Sequence, residues 1–416
     1  MRKDAGVIAA AQVDPSSPPA PCTAGRKIRV LHLVNSWAQG GAETIVAMLA
    51  MNLDRERFAV VPCALVPGGP VEEQLRAAGI ACRAVGIPYR SILTGPFFVA
   101  NVGRMLAALT NILRELSVDI VHVHLHPSIF LGILAARRAG VPRVCATIHN
   151  VVFHRRHRLS PRRWMMDAVT KRLFPRVDRI IGVCEEVSRV ARARFNVPDE
   201  RVLTIPNGVD ADGYRLGQDR GAARRKVGLP PGRCIVVTVG RLTAQKGYPH
   251  LLAALALIPS EMRPLTLFVG DGPDRPELES MASHLGLADD TRFLGNRTDV
   301  ADLLASADVF VLSSLWEGLP LALLEAAAAA LPAVVTAVGG NVEVVENGQS
   351  GLLAPPGDER ALADAICSLL RDPERRVHMG RAARERFERR YSLNSFVRAH
   401  ERLYETLVAD LRTRAM

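Results

Sequence analysis

The chain has 416 residues, 48% of them hydrophobic and 23% charged, enough for two domains that each bury a core. That composition excludes a disordered, collagenous or disulfide-scaffold protein. A net charge of +11 calls for an anionic partner: a phosphorylated small molecule, an acidic membrane surface or nucleic acid.

Residues 1–26, rich in Ala, Pro and Ser, read as a disordered tail, and "VIAAA" within them is too short for a signal-peptide core. Strand-like runs then alternate with amphipathic segments. "KIRVLHLVN" (27–35) leads through a Gly-Gly turn to the helical "AETIVAMLAMNL". "FAVVPCALV" precedes helices around 72–78 and 99–116, and "DIVHVHL" (119–125) precedes one near 128–139. "RVCATIH" (143–149), "RIIGVC" (179–184) and "RVLTIP" (201–206) complete a first set. After the Pro-Asn-Gly turn of "IPNGVD" (205–210) the rhythm restarts with "CIVVTVGR", "LTLFVGDG", "TRFLG", "DVFVLSS", "PAVVTA" and "SGLLAP". Short β-branched runs between helices predict two doubly wound α/β domains, 27–205 and 206–390, with a final helical segment at 391–416. Ligands of such sheets bind at the carboxyl ends of strands, so the cleft between the domains is the expected site.

The seven cysteines (Cys22, Cys63, Cys82, Cys145, Cys184, Cys234 and Cys367) show no C-x-x-C spacing, which argues against a disulfide framework or zinc site. With no uncharged run resembling a spanning helix, the expectation is a cytoplasmic protein, soluble or peripheral on the inner face of the membrane. One segment breaks the rhythm. Residues 151–179 hold nine Arg or Lys against two Asp. A helix there would be basic on one side and apolar on the other, which fits either a solvated face or a membrane-surface patch. Arg155, Arg156, Arg162, Arg163, Trp164, Lys171 and Arg172 are the patch candidates. Nucleic acid fits poorly, because no recognition motif accompanies the charge.

Three stretches carry chemistry. In "TVGRLTAQKG" (238–247) a strand ends at Gly240, and Arg241 and Lys246 follow, placed to clamp a diphosphate. Alone, the same residues could be a helix-flanking surface pair. "FVGDGP" (268–273), with Gly270, is a strand-to-turn junction that lacks a dinucleotide fingerprint. In "WEGLPLALLEAA" (316–327), Glu317 and Glu325 are the only charged residues between Asp308 and Glu343. Stranding an unpaired charge among Leu and Ala is costly, so both reach solvent or meet hydroxyls or positive charge. Pro320 at the first helical position would leave the amides of Leu321, Ala322 and Leu323 free for an anion.

E-G-L-P-L-A-L-L-E resembles the E-x7-E motif of retaining glycosyltransferases of the GT-B architecture, specifically glycosyltransferase family 4. G-G-A-E (40–43), I-P-N-G-V-D, G-R-L…K-G, V-G-D-G-P, F-L-G and G-G-N-V-E…N-G…G-L-L-A-P-P-G-D follow in the family's order, from about residue 28 to 400. The resemblance implies two Rossmann-like domains facing each other, donor side C-terminal and acceptor side N-terminal, with the last helix packed back on the first domain. It implies that Arg241 and Lys246 bind the donor's diphosphate, Glu317 the transferred sugar and Glu325 the ribose. His149 would lie by the donor sugar, and Gly41 would let the first loop approach the diphosphate. Ala328-Ala329-Ala330 departs from the family's more usual Met-Ala-x-Gly, and Ala337 stands where Asp often precedes V-G-G.

His122, His124 and His126 alternate along one strand face, as metal ligands can. With no Cys or carboxylate nearby the expectation is no metal, with His122 and His124 satisfied inside the sheet and His126 facing the acceptor. What the resemblance implies is transfer of a sugar from a nucleotide-diphosphate donor to an acceptor hydroxyl with retention, without a metal or other cofactor. No D-x-D pattern sits where a metal would need it. A lipid-linked or saccharide acceptor in cell-surface polysaccharide or glycolipid synthesis fits the basic patch. A sugar-nucleotide epimerase or phosphorylase on the same architecture, or a non-catalytic sugar-nucleotide-binding subunit, are the alternatives.

Overall fold

The computed structural model describes residues 26–87, 98–150, 168–214 and 219–415. Among them thirteen strands form two sheets, every strand pairing parallel. The first comprises β1 (Ile28–Val34), β2 (Phe58–Ala64), β3 (Arg83–Ala84), β4 (Ile120–His124), β5 (Arg143–Ile148), β6 (Arg179–Gly182) and β7 (Val202–Thr204), in the order β3-β2-β1-β4-β5-β6-β7. The second comprises β8 (Ile235–Val239), β9 (Leu265–Val269), β10 (Thr291–Gly295), β11 (Val309–Leu312), β12 (Ala333–Thr336) and β13 (Gly351–Ala354), in the order β10-β9-β8-β11-β12-β13. Central strands such as Arg143–Ile148 and Val309–Leu312 are buried along their whole length, as parallel strands covered by helices on both faces must be. The architecture is the doubly wound α/β pair expected from the strand–helix rhythm. Only the two-residue β3 was not anticipated, since two residues carry no periodicity.

In both sheets the strand order reverses once near the middle, between β1 and β4 and between β8 and β11. A crevice opens at the carboxyl ends of strands at such a switch. The segments leaving those ends meet: a Cβ on Gly318, past β11, would sit closer than 3.0 Å to the carbonyl oxygen of His149, just past β5. Asn207 in the Pro-Asn-Gly junction is buried and donates to the Leu319 carbonyl at 2.8 Å. The junction is thus packed against the second domain. The Glu185 amide donates to Glu343 at 2.8 Å across the same seam.

The chain returns to the first sheet at its end. Tyr391 and Leu393 exchange backbone hydrogen bonds with Val209, and the helix Leu393–Ala415 then lays Leu403, Tyr404 and Leu407 against Val30, Ile45 and Ile120. Arg143 donates to the Leu407 carbonyl, and Arg57 pairs with Glu401 and Glu405. Among the described residues no helix is long and apolar enough to cross a membrane, and the six described cysteines are free thiols.

The helix Leu321–Ala328 is built from strong helix formers and stops without a glycine. Ala330 closes it at φ 53°, the left-handed conformation that costs an L-residue about 1–2 kcal/mol. Ala330→Gly is therefore expected to raise the unfolding free energy by about 0.5–1 kcal/mol, the relieved strain exceeding the added entropy of the unfolded chain. Denaturant titration measures this; an unchanged or lower midpoint contradicts it.

Candidate active site

The carboxyl ends of β8 and β11 bring together residues 71 positions apart. Lys246, in the short turn after β8, places its ammonium 2.6 Å from Glu317 Oε1. Ser314 donates to the same oxygen at 2.7 Å, and Gln245 donates to Oε2 at 3.2 Å. Both charged side chains are nearly enclosed, at 14% and 5% exposure for Lys246 and Glu317. The carboxylate offers about four acceptor positions, so three donors leave about one open. The lysine stem crosses the face of Gly240, where any Cβ would press on Lys246 and Tyr248. Gly270 in turn has φ 128° and abuts the Gly240 carbonyl, a contact that no side chain allows. The glycines at these two strand ends are the steric condition for the lysine's path.

Arg241, next to Gly240, is exposed, and its guanidinium has no partner among the described residues. The two cations thus differ, one paired and enclosed, the other open. The helix after Glu317 begins at Leu321 with Pro320 as its N-cap, one position later than expected. The Leu323 amide is consumed by the Pro320 carbonyl at 3.2 Å, leaving the amides of Leu321 and Ala322 for an anion. Gly41 opens the helix Gly41–Asn52, and a Cβ there would meet nothing within 4 Å. The crowded glycine is Gly40, against the Glu43 carboxyl, which burial pushes above its usual range.

Residues 219–386 match the family described as glycosyl transferases group 1, and residues 39–212 match glycosyltransferase family 4. The chain is 32% identical to the UDP-Gal:alpha-D-GlcNAc-diphosphoundecaprenol alpha-1,3-galactosyltransferase of Escherichia coli, covering 65% of this chain and 70% of that one. It is 30% identical to the D-inositol 3-phosphate glycosyltransferase 2 of Catenulispora acidiphila, covering 79% and 82%. This chain belongs to glycosyltransferase family 4. The fold agrees: HepE of Anabaena, solved with UDP and glucose, superposes with a TM-score of 0.78 at 23% identity, covering 92% of the transferase and 100% of HepE.

Glu325 of the transferase lies apart from the Lys246–Glu317 pair in its contacts. Its carboxyl meets the Tyr214 hydroxyl, and burial pushes its pKa up to about 7 against that hydrogen bond. Burial beside Glu325 pushes the Tyr214 phenol up as well. Tyr214, Gln245 and Ser314 were not singled out in the sequence. Gln245 stands inside "TVGRLTAQKG" and Ser314 just before "WEGLPLALLEAA", neither with a signal of its own, and Tyr214 follows the interdomain junction.

On the first domain, His149 follows β5 and bonds through Nε2 to His124 Nδ1 at 3.1 Å. His122 and His124 are fully buried and bonded inside the sheet, and His32 of β1 joins them. Ring nitrogens of His32, His122 and His124 lie within 4.8 Å of one another. His126 is half-buried, its carbonyl taken by Asn35 at 2.6 Å. Of the basic-patch residues, Lys171 and Arg172 are exposed, while Arg155, Arg156, Arg162, Arg163 and Trp164 lie outside the described residues.

Two outcomes follow from the carboxylates. Lys246→Ala leaves Glu317 enclosed without its cation and is expected to cost about 3–5 kcal/mol, whereas Lys246→Ala with Glu317→Gln costs less than either single change implies. A double-mutant cycle by denaturant unfolding measures this, and additive effects contradict it. Glu325 binds its proton more tightly folded than unfolded, so the stability it contributes below about pH 4.5 is lost as pH rises through about 7. Glu325→Gln is therefore expected to be more stable than the parent by about 3 kcal/mol at pH 8, with the difference vanishing toward pH 4. Thermal unfolding across pH reads it; a destabilised variant at pH 8 contradicts it.

Proposed function

We propose that this transferase moves a sugar from a nucleoside-diphosphate donor to an acceptor hydroxyl with retention, the donor lying between the two sheets. The observation that carries the reading is the juxtaposition at the β8 and β11 strand ends. A guanidinium and two helix amides without partners among the described residues stand with a lysine ammonium at one topological switch, a set of donors suited to a diphosphate. Glu317 serves the transferred sugar through its remaining acceptor position and holds Lys246 in place. Glu325 accepts from the ribose hydroxyls beside Tyr214, and His149 meets the sugar from the opposite domain.

In this reading the acceptor oxygen attacks the anomeric carbon from the face the diphosphate is leaving. The bond from that carbon to the phosphate oxygen breaks as the new glycosidic bond forms, and the acceptor's proton passes to the departing phosphate. Charge therefore develops on the leaving oxygens, where fixed cations and amides lower the barrier most. No metal is needed for that step. Domain approach across the Gly318–His149 seam excludes water and limits donor hydrolysis. A lipid-linked acceptor is supported by the name of the Escherichia coli relative, a galactosyltransferase acting on a diphosphoundecaprenol sugar, and by the charge of residues 151–179. In this reading the protein works at the inner face of a membrane, in polysaccharide or glycolipid assembly.

The Arg241 side chain is exposed and has no hydrogen-bond or ion-pair partner among the described residues, so in Arg241→Ala stability is expected to stay within about 0.5 kcal/mol while turnover falls about 10²–10³-fold. Nucleoside diphosphate release from UDP-, GDP- and ADP-sugars, with undecaprenyl-diphosphate-linked sugar as acceptor, measures it. Turnover like the parent's overturns the proposed mechanism.

A further inference from the structure

Six side chains form one unbroken line of hydrogen bonds beneath the cleft. Thr147 Oγ1 lies 2.7 Å from His122 Nε2, and His122 Nδ1 lies 2.8 Å from the Tyr404 hydroxyl. Tyr404 reaches His32 Nε2 at 3.2 Å. His32 Nδ1 reaches His124 Nε2 at 3.1 Å, and His124 Nδ1 reaches His149 Nε2 at 3.1 Å. Strand register makes the line possible: His32 of β1 pairs with His122 of β4, and His124 pairs with Thr147 of β5. The last helix supplies Tyr404 as the bridge. Burial holds His32 at about 3, His149 at about 4 and His122 and His124 well below the usual range, so each ring is neutral, with one N–H and one lone pair.

A neutral line of this kind has two proton orders, and one end decides between them. If His122 Nε2 donated to Thr147, the threonine hydrogen would be buried without an acceptor among the described residues. If Thr147 donates, every later link follows. His122 donates to Tyr404, Tyr404 to His32, His32 to His124 and His124 to His149 Nε2. The proton of His149 must then sit on Nδ1, the nitrogen with no partner among the described residues. The structure assigns Thr147 and Tyr404 as positioning residues that fix His149 as an Nδ1–H donor toward the cleft, through the line His122, His32 and His124. A neutral N–H suits an oxygen of the bound sugar or its diphosphate without adding charge. Only this last consequence rests on the donor-site reading of His149.

The experiment uses the full chain with ¹⁵N-labelled histidine, the His149 signals being assigned by their loss in His149→Gln. Long-range ¹H–¹⁵N correlations at pH 7 report which nitrogen is protonated. The parent is expected to show His149 protonated on Nδ1. Thr147→Val and Tyr404→Phe should each shift it toward a mixture with the Nε2–H form, and Thr147→Ser should restore the parent pattern. In parallel kcat/KM should fall about tenfold in Thr147→Val, the worth of one hydrogen bond, and recover in Thr147→Ser. An Nε2–H tautomer in the parent overturns the inference, as does a tautomer unmoved by Thr147→Val. Stoichiometric zinc in the purified protein, released by His32→Ala, overturns it too, because the trio would then be ligands. A tautomer that shifts while kcat/KM does not upholds the line and removes His149 from the donor site.

Discussion

The loop between β11 and the following helix is held by backbone pressed on backbone, and the placement of Glu317 depends on it. Gly247 stands against the Ser313 carbonyl, Gly339 against the Glu317 carbonyl and Gly318 against the carbonyl of His149, each closer than a side chain permits. The Gly340 amide adds a hydrogen bond to the Gly318 carbonyl at 2.6 Å. With three sides occupied, the loop has one path, and along it Glu317 meets Lys246. Gly318 also sets how near the two domains come, through its contact with His149. Diphosphate chemistry and domain approach are thus two results of one steric arrangement.

Two acids in an apolar stretch of a basic protein have two different answers. Glu317 is met by a cation and two neutral donors, and stays enclosed at little cost because its charge is matched. Among the described residues Glu325 is met by a phenol alone, and burial raises its pKa to about 7, so near neutrality it is an acid on the edge of ionising. Eight positions on one short segment separate a fixed charge from a titrating one.

Much of this was legible in the sequence because it depends on local pattern. The alternation of short β-branched runs with helices told the two parallel sheets, and the linked motifs told the family. What escaped has a common cause in tertiary contact. His32 is one histidine in an apolar strand until register sets it beside His122. Tyr404 is one aromatic on a long amphipathic helix until that helix lies across the first sheet. Arg241 and Lys246 look alike as cations after a strand, and only the path of the β11 loop separates them. The sequence put Pro320 at the first helical position, whereas it is the N-cap, and that one-residue difference removed the Leu323 amide from the anion set.

The most direct measurement is a crystal structure of the chain with a nucleoside diphosphate bound. The expected result is a β-phosphate within hydrogen-bonding distance of both Arg241 and Lys246 and a ribose on the Glu325 carboxylate. A nucleotide seated away from the β8 and β11 strand ends, or bound there with both cations turned from the phosphates, would contradict it.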